Sequence, residues 1–161
     1  MMICSMISLG LELQTDNWNE EELPMCNMRN QVFSAVQTLI AQGCQEFITT
    51  CEYGAALWAA EAVVVLKQFN DVKLRVMIPY EEQTSRWPES FRDRYFSVHQ
   101  KADAVELVDT GFEEGCYEKT HRMMIEQCDI VVFFGAEKSF NELAAFAAEH
   151  EVKAVYCPFD T

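Results

Sequence analysis

Short runs of apolar and β-branched residues alternate along this chain with longer segments whose apolar positions recur every three to four residues. The short runs fall at residues 2–7, 46–50, 73–78, 104–108, 129–134 and 153–156 and have strand length. Between the first two, Val32, Phe33, Val36, Leu39 and Ile40 share one helical face, and Gly43 supplies a stop. Residues 55–68 predict a second helix that is apolar almost all round, with Glu61 its one charged residue before the end. Such a helix is covered on more than one side, by the core and, if the chain forms a homodimer, by a second copy. Pro88 fits the first turn of a third helix carrying Phe91, Tyr95, Phe96 and Val98, and residues 116–127 and 139–150 supply two more. Strands that alternate with helices in this way predict an α/β class, a Rossmann-like three-layer fold around a mostly parallel sheet of about six strands. No repeat and no Pro-, Gly- or Ser-rich linker divides the sequence, so a single domain over residues 1–161 is expected. Residues 11–24 are polar and acidic and read as a long loop after the first strand, with the reach of a lid.

Composition narrows the function classes. The longest apolar runs, 62–66 and 130–134, fall far below the roughly 18 residues that a membrane span needs, so no membrane partner is expected. The N-terminus lacks a basic region and does not read as a secretory signal, which places the protein in the cytoplasm. Twelve Lys and Arg face 26 Asp and Glu, a net charge of −14, and the basic residues are scattered from Arg29 to Lys153. That charge disfavours nucleic acid as a partner, because phosphate-backbone binding needs a basic cluster. The acidic groups Glu20 to Glu22, Glu81 with Glu82, and Glu113 with Glu114 read as solvated surface rather than metal ligands. Seven cysteines, an odd number without a C-x-x-C pair, read as reduced thiols; neither a zinc site nor a disulfide framework is expected. No metal and no cofactor is called for.

In an open parallel sheet the ligand crevice lies outside the carboxyl ends of the strands. Three such ends stand out: Ser8-Leu9-Gly10, Thr49-Thr50-Cys51-Glu52-Tyr53-Gly54, and Gly135-Ala136-Glu137-Lys138-Ser139. In the second and third a glycine stands at or just before a helix start, where free N–H groups can receive a phosphate or carboxylate. Neither G-x-G-x-x-G nor the P-loop pattern occurs, which disfavours an ordinary dinucleotide or P-loop site. Ser139-Phe140-Asn141-Glu142 also reads as a plain capping box, Ser139 and Glu142 each satisfying an orphan backbone donor. Cys51, in a loop before a helix, is either an activated nucleophile or an inert thiol. His121 is either an acid–base group or a surface or capping residue. Tyr80 and Trp58 either stack on a base or fill a core, and Glu61 either faces solvent or hydrogen-bonds a ligand or partner.

The segments Tyr53-Gly54-Ala55-Ala56-Leu57-Trp58-Ala59-Ala60-Glu61 and Ile78-Pro79-Tyr80-Glu81-Glu82-Gln83, with Trp87, resemble the YpsA-like branch of the SLOG superfamily, which includes the Smf/DprA and LOG proteins. The strand after Asp129 and Lys138-Ser139-Phe140-Asn141-Glu142 resemble that superfamily's second glycine loop, and the likeness covers about residues 45–157. It implies a Rossmann-like domain that holds a nucleotide or nucleotide-derived ligand between two strand-to-helix loops. The residues it marks for ligand binding are Thr50, Cys51, Glu52, Gly54, Gly135, Lys138, Ser139 and Asn141. By the same resemblance Thr50 replaces the motif serine, Cys51 its first glycine, and Ala136 and Lys138 occupy glycine positions. Glu142 stands for the glutamate that LOG enzymes use to cleave an N-glycosidic bond; their Arg-Lys pair falls on Thr120 and His121, and Arg122 points about 200° from the arginine position. A binding domain with a depleted catalytic set is therefore expected. A LOG-like nucleoside monophosphate phosphoribohydrolase is the alternative, and DprA-like single-strand DNA binding the third reading.

Overall fold

A computed structural model describes residues 1–10 and 20–159. Six strands, β1 (Met2–Ser8), β2 (Cys44–Thr49), β3 (Lys73–Tyr80), β4 (Ala104–Asp109), β5 (Ile130–Phe134) and β6 (Lys153–Cys157), form one sheet in the order β4-β3-β2-β1-β5-β6. Every neighbouring pair is parallel. Five helices connect them: α1 (Leu23–Ala41), α2 (Ala55–Leu66), α3 (Glu89–Lys101), α4 (Cys116–Glu126) and α5 (Asn141–Glu149). The chain winds outward from β1 to β4, then returns to the other side of β1. Right-handed crossovers place helices made on the outward and return paths on opposite faces of the sheet. Accordingly α2 lies against α1 and α3, whereas α4 packs with α5. The result is the Rossmann-like α/β arrangement expected from the sequence.

Strand alternation divides the interior into two cores. Met6, Phe47, Val76, Val132 and Phe134 belong to the core with Trp58 and Val63, whereas Ile7, Ile48, Met77, Val131 and Phe133 pack with Met124, Ile125, Phe140 and Leu143. Both faces being covered explains why Ile130–Phe134 is a continuous apolar run, buried at every position. The apolar circumference of α2 has an intramolecular cause, since sheet, α1 and α3 surround it and Val65 is its exposed apolar residue.

The structure changes several local readings. Of the acidic loop expected over residues 11–24, residues 11–19 lie outside the described residues, and Leu23 and Pro24 already belong to α1, with Pro24 in its first turn. Glu20 is an internal anchor rather than solvated surface: its carboxylate accepts the Trp58 indole N–H and pairs with Arg94 of α3, which also holds Glu61 of α2. Trp58 is thereby fixed as a core residue, and Glu61 is a half-buried ion-pair partner. The capping box over Ser139 to Glu142 does not form. A 3₁₀ turn, Glu137–Phe140, leads into α5, and neither its start nor that of α5 has a side-chain cap. Burial of Phe140 against Phe133 dictates this entry, the two rings stacking at 4.7 Å.

At the amino end of the sheet Asp103 ties the β4 edge to its neighbours. Its Oδ2 accepts the Leu74 N–H at 2.8 Å and the Lys67 ammonium at 2.6 Å. Lys67 draws the carboxyl below its ordinary value against the opposing effect of burial. Asp103→Ala is expected to cost about 1–2 kcal/mol, the usual loss when a charge-assisted backbone bond is removed, and to speed amide exchange at Leu74. The melting temperature should fall by about 2–8 °C, and a value within about 1 °C of wild type contradicts this assignment.

Candidate functional site

The chain reverses its winding between β1 and β5, so the loops that leave their carboxyl ends diverge and open a crevice. Ser8 and Phe134 end these strands side by side. The β1 loop is pinned where the Gly10 N–H bonds Ser8 Oγ at 3.1 Å, and it lies beside the Tyr53 carbonyl of the β2 loop.

Hydroxyls of the β2 loop are spent on its own backbone. Thr49 Oγ1 accepts the Cys51 N–H at 3.0 Å and donates to the Ala56 carbonyl at 3.3 Å. Thr50 Oγ1 accepts the Glu52 N–H and donates to Glu52 Oε1, both at 3.3 Å. Cys51 adopts φ +60°, the left-handed conformation for which the related motif carries glycine; a side chain there costs about 1–2 kcal/mol. Its thiol is fully buried instead of presented by the loop, and burial, followed by the charge of Glu61, pushes its pKa far up. Cys51 is thus a neutral packing group, and the nucleophile reading is set aside. Gly54 caps α2 from beneath the surface.

The open space lies on the other side of β1. A cavity of about 430 Å³ is lined by Leu9, Tyr117, His121, Lys138, Ser139 and Glu142, with Asn141 also on its wall. Among the described residues the side chains of Lys138, Ser139, Asn141 and Glu142 have no hydrogen bond or ion pair. Gly135 stands behind them, its N–H bonded to the Cys157 carbonyl at 3.1 Å, and sets the turn that carries them outward. Arg122 points away, pairing with Glu118 at 3.0 Å and lying over Phe146.

Helix α4 supplies the facing wall. His121 is only 2% exposed, and its Nε2 lies 3.3 Å from Glu52 Oε1. A carboxylate oxygen accepts, so a hydrogen on Nε2 completes this contact and Nδ1 is the ring nitrogen that Glu52 does not engage. The β2 loop touches this wall only through the Glu52 contact to His121; Thr50, Cys51, Glu52 and Gly54 do not line the cavity, and neither does Gly135. One turn before His121, the Tyr117 hydroxyl donates to Gln83 Oε1 at 3.0 Å. The Gln83 amide in turn donates to the Thr50 carbonyl and the Tyr95 hydroxyl, each at 3.1 Å. Burial and the nearby Glu52 charge keep the Tyr117 phenol protonated. Thr120, at the position of the LOG arginine, is buried and bonds back to the Cys116 carbonyl at 2.8 Å.

Sequence reasoning brings forward the residues of the 3₁₀ turn and the start of α5 because they are contiguous. It passed over Tyr117 and Gln83 as site residues and left His121 open between a surface and a chemical role. The available signal was the i, i+4 spacing of Tyr117 and His121, which places both on one helix face. A second cavity, about 510 Å³, adjoins the first and shares Tyr117 with it.

The arrangement agrees with comparisons to known proteins. A family model described as the YspA SLOG family matches residues 10–154. A UPF0398 protein of Halalkalibacterium halodurans is 36% identical over 74 residues, 45% of this chain and 39% of the relative. UPF0398 proteins of Oceanobacillus iheyensis and Staphylococcus haemolyticus are 26% identical over 106 residues and 28% over 102; the matches cover 66% and 62% of this chain, and 58% and 54% of the relatives. The chain thus spans about half the length of the curated relatives it matches. Among the described residues no helix is long and apolar enough to cross a membrane.

Proposed function

Since the chain belongs to the YspA SLOG family, we propose that it binds a nucleotide or nucleotide-derived small molecule in the cavity between α4 and the turn into α5. One observation carries this reading: Lys138, Ser139, Asn141 and Glu142, all without partners among the described residues, meet the buried His121 around one cavity. In a chain of net charge −14, an ammonium free of carboxylate partners is a point of attraction for an anion, and it needs no fixed fork geometry to hold phosphate. Ser139 can donate to the same oxygen atoms. Glu52 fixes the His121 ring, so that Nδ1 is available to a ligand hydroxyl.

Thermal shift with nucleoside monophosphates, ADP-ribose and ribose 5-phosphate tests the reading. A ligand present at 100 times its dissociation constant stabilises by about 2.7 kcal/mol, equivalent to a rise of about 5–11 °C for a domain of this size. Lys138→Ala is expected to abolish that rise. Absence of any rise with the wild-type chain speaks against the reading.

The Glu142 carboxylate on the cavity wall, unpaired among the described residues, favours a second reading, hydrolysis of an N-glycosidic bond. Thr120 weakens it, because the place of the LOG arginine is filled by a buried residue already bonded to backbone. Release of free base by wild type, abolished in Glu142→Gln, would support hydrolysis; no release by wild type removes it. The charge balance favours a small molecule over nucleic acid as the occupant of the cavity. A cytoplasmic location fits that ligand. Any homodimer contact on α2 would centre on Val65, because α1 and α3 cover its flanks.

A further inference from the structure

The geometry points to the adjoining 510 Å³ recess, walled by Tyr80, Trp87, Phe112 and Tyr117, as a second subsite that takes the planar base of the ligand. This rests on the reading above, in which the anionic part of the same molecule lies against Lys138 and Ser139.

The walls have the chemistry of a ring receptor. Phe112 and Tyr117 both stand edge-on to Tyr80, at 5.2 Å and 74° and at 6.1 Å and 87°. An edge-to-face contact covers at most one face of one ring of the pair, and a planar heterocycle stacks on a remaining face whatever its substitution. Phe112 is 67% exposed, so it contributes little to either core and sits at the recess as unshielded apolar surface. It follows Gly111, around which an added Cβ would meet nothing within 4 Å. Apart from its edge contact with Tyr80, Phe112 answers no packing demand of the core, and an exposed aromatic residue there is best explained by what enters the recess.

The polar complement excludes a purely aliphatic guest. Ser85 and Arg86 share the lining, and Arg86 has no hydrogen bond or ion pair among the described residues. Both can donate to ring nitrogens or exocyclic oxygens. Gln83 has no N–H left to donate to the ring, because both go to Thr50 and Tyr95, and its oxygen already accepts from Tyr117. It instead holds Tyr117 upright as the partition between the two cavities. A ligand with a flat end and an anionic end would lie across that partition, flat end toward β3 and β4, anionic end toward β1 and β5.

The test uses the full chain and compares three groups of probes: adenosine, guanosine, cytidine, uridine and nicotinamide riboside; their 5′-monophosphates; and ribose 5-phosphate. Binding is followed by the indole resonance of Trp87 and by titration calorimetry. Phe112→Ala is expected to weaken the best nucleoside and its monophosphate by about 5- to 150-fold, the range for loss of one stacking partner, and to leave ribose 5-phosphate unchanged. Lys138→Ala is expected to weaken ribose 5-phosphate and the monophosphate while sparing the nucleoside. The subsite is overturned if no nucleoside binds, or if Phe112→Ala leaves nucleoside binding unaltered or reduces ribose 5-phosphate equally. Nucleoside binding that depends on Phe112, with ribose 5-phosphate indifferent to Lys138, would uphold this subsite and sink the anion site alone. Phe112→Tyr, which keeps the stacking face, is expected to restore nucleoside binding and separates stacking from a folding defect.

Discussion

Arg94→Leu is expected to lower the unfolding free energy by about 3 kcal/mol, the low end of the range for breaking a buried ion pair. The guanidinium bonds Glu61 Oε2 through Nε at 2.9 Å and Glu20 Oε1 through Nη2 at 3.1 Å, and it lies 4.9 Å from the centre of the Phe91 ring. Removing it leaves two carboxylates facing each other between α2, α3 and the lead-in to α1. Side-chain exposures of 27%, 15% and 32% for Arg94, Glu20 and Glu61 admit some solvent screening, which is why the low end applies. The melting temperature should fall by about 6–12 °C.

The pH dependence supplies a second readout. Burial alone would raise the Glu20 carboxyl, but the bonds from Arg94 and Trp58 outweigh it and hold the group below its ordinary 4.5. A depressed carboxylate contributes stability that is complete above the unfolded value and is lost as pH falls through the folded one. The gap between wild type and Arg94→Leu should therefore be full at pH 7 and narrower at pH 3.5. Urea unfolding at both values checks this; a gap that stays constant, or is below about 1 kcal/mol where about 3 kcal/mol is expected, refutes the clamp.

Gly135→Ala is the second substitution with a large expected cost, about 2–3 kcal/mol. Gly135 sits at φ +130°, which residues with a side chain rarely adopt, and the added Cβ would lie 3.4 Å from Phe140 Cε2. That contact is tight but not prohibitive, so backbone strain is the larger part. Phe140 cannot swing aside, being buried and stacked on Phe133. Because this turn projects Lys138 and Ser139 into the cavity, affinity for ribose 5-phosphate should fall with stability. Gly111→Ala is the control, with open space around it and an expected change within about 0.5 kcal/mol. Denaturant titration of both variants, with equal losses in the two, would refute the assignment of strain to the β5 turn.

The parts of the site that were legible in the sequence are the local ones. Lys138, Ser139, Asn141 and Glu142 are neighbours along the chain, so a single strand-to-helix loop announces them together. The residues that organise the cavity behind them are distant in sequence: His121 meets Glu52 across 69 positions, and Tyr117 meets Gln83 across 34. No spacing rule connects such pairs. Cys51 shows the opposite limit, since its loop position suggested presentation to solvent while packing beneath α2 buried it. The capping box failed for a similar reason: Ser139 and Glu142 carry the pattern, but the Phe140 ring between them chose the entry angle.

By itself the sequence determined the six strands, the helices between them and their winding into a parallel α/β sheet. Those follow from short-range periodicity, which records how each segment must hide its apolar side. Tertiary structure alone decided which polar groups were consumed and which were left free. Thr50, Glu20 and Glu61 look as available in the sequence as Ser139 and Glu142, yet the former are bound within the chain and the latter line a cavity. Hydrogen bonds and ion pairs are settled by proximity in space, and proximity is fixed only once the strand order has brought β1, β2 and β5 together.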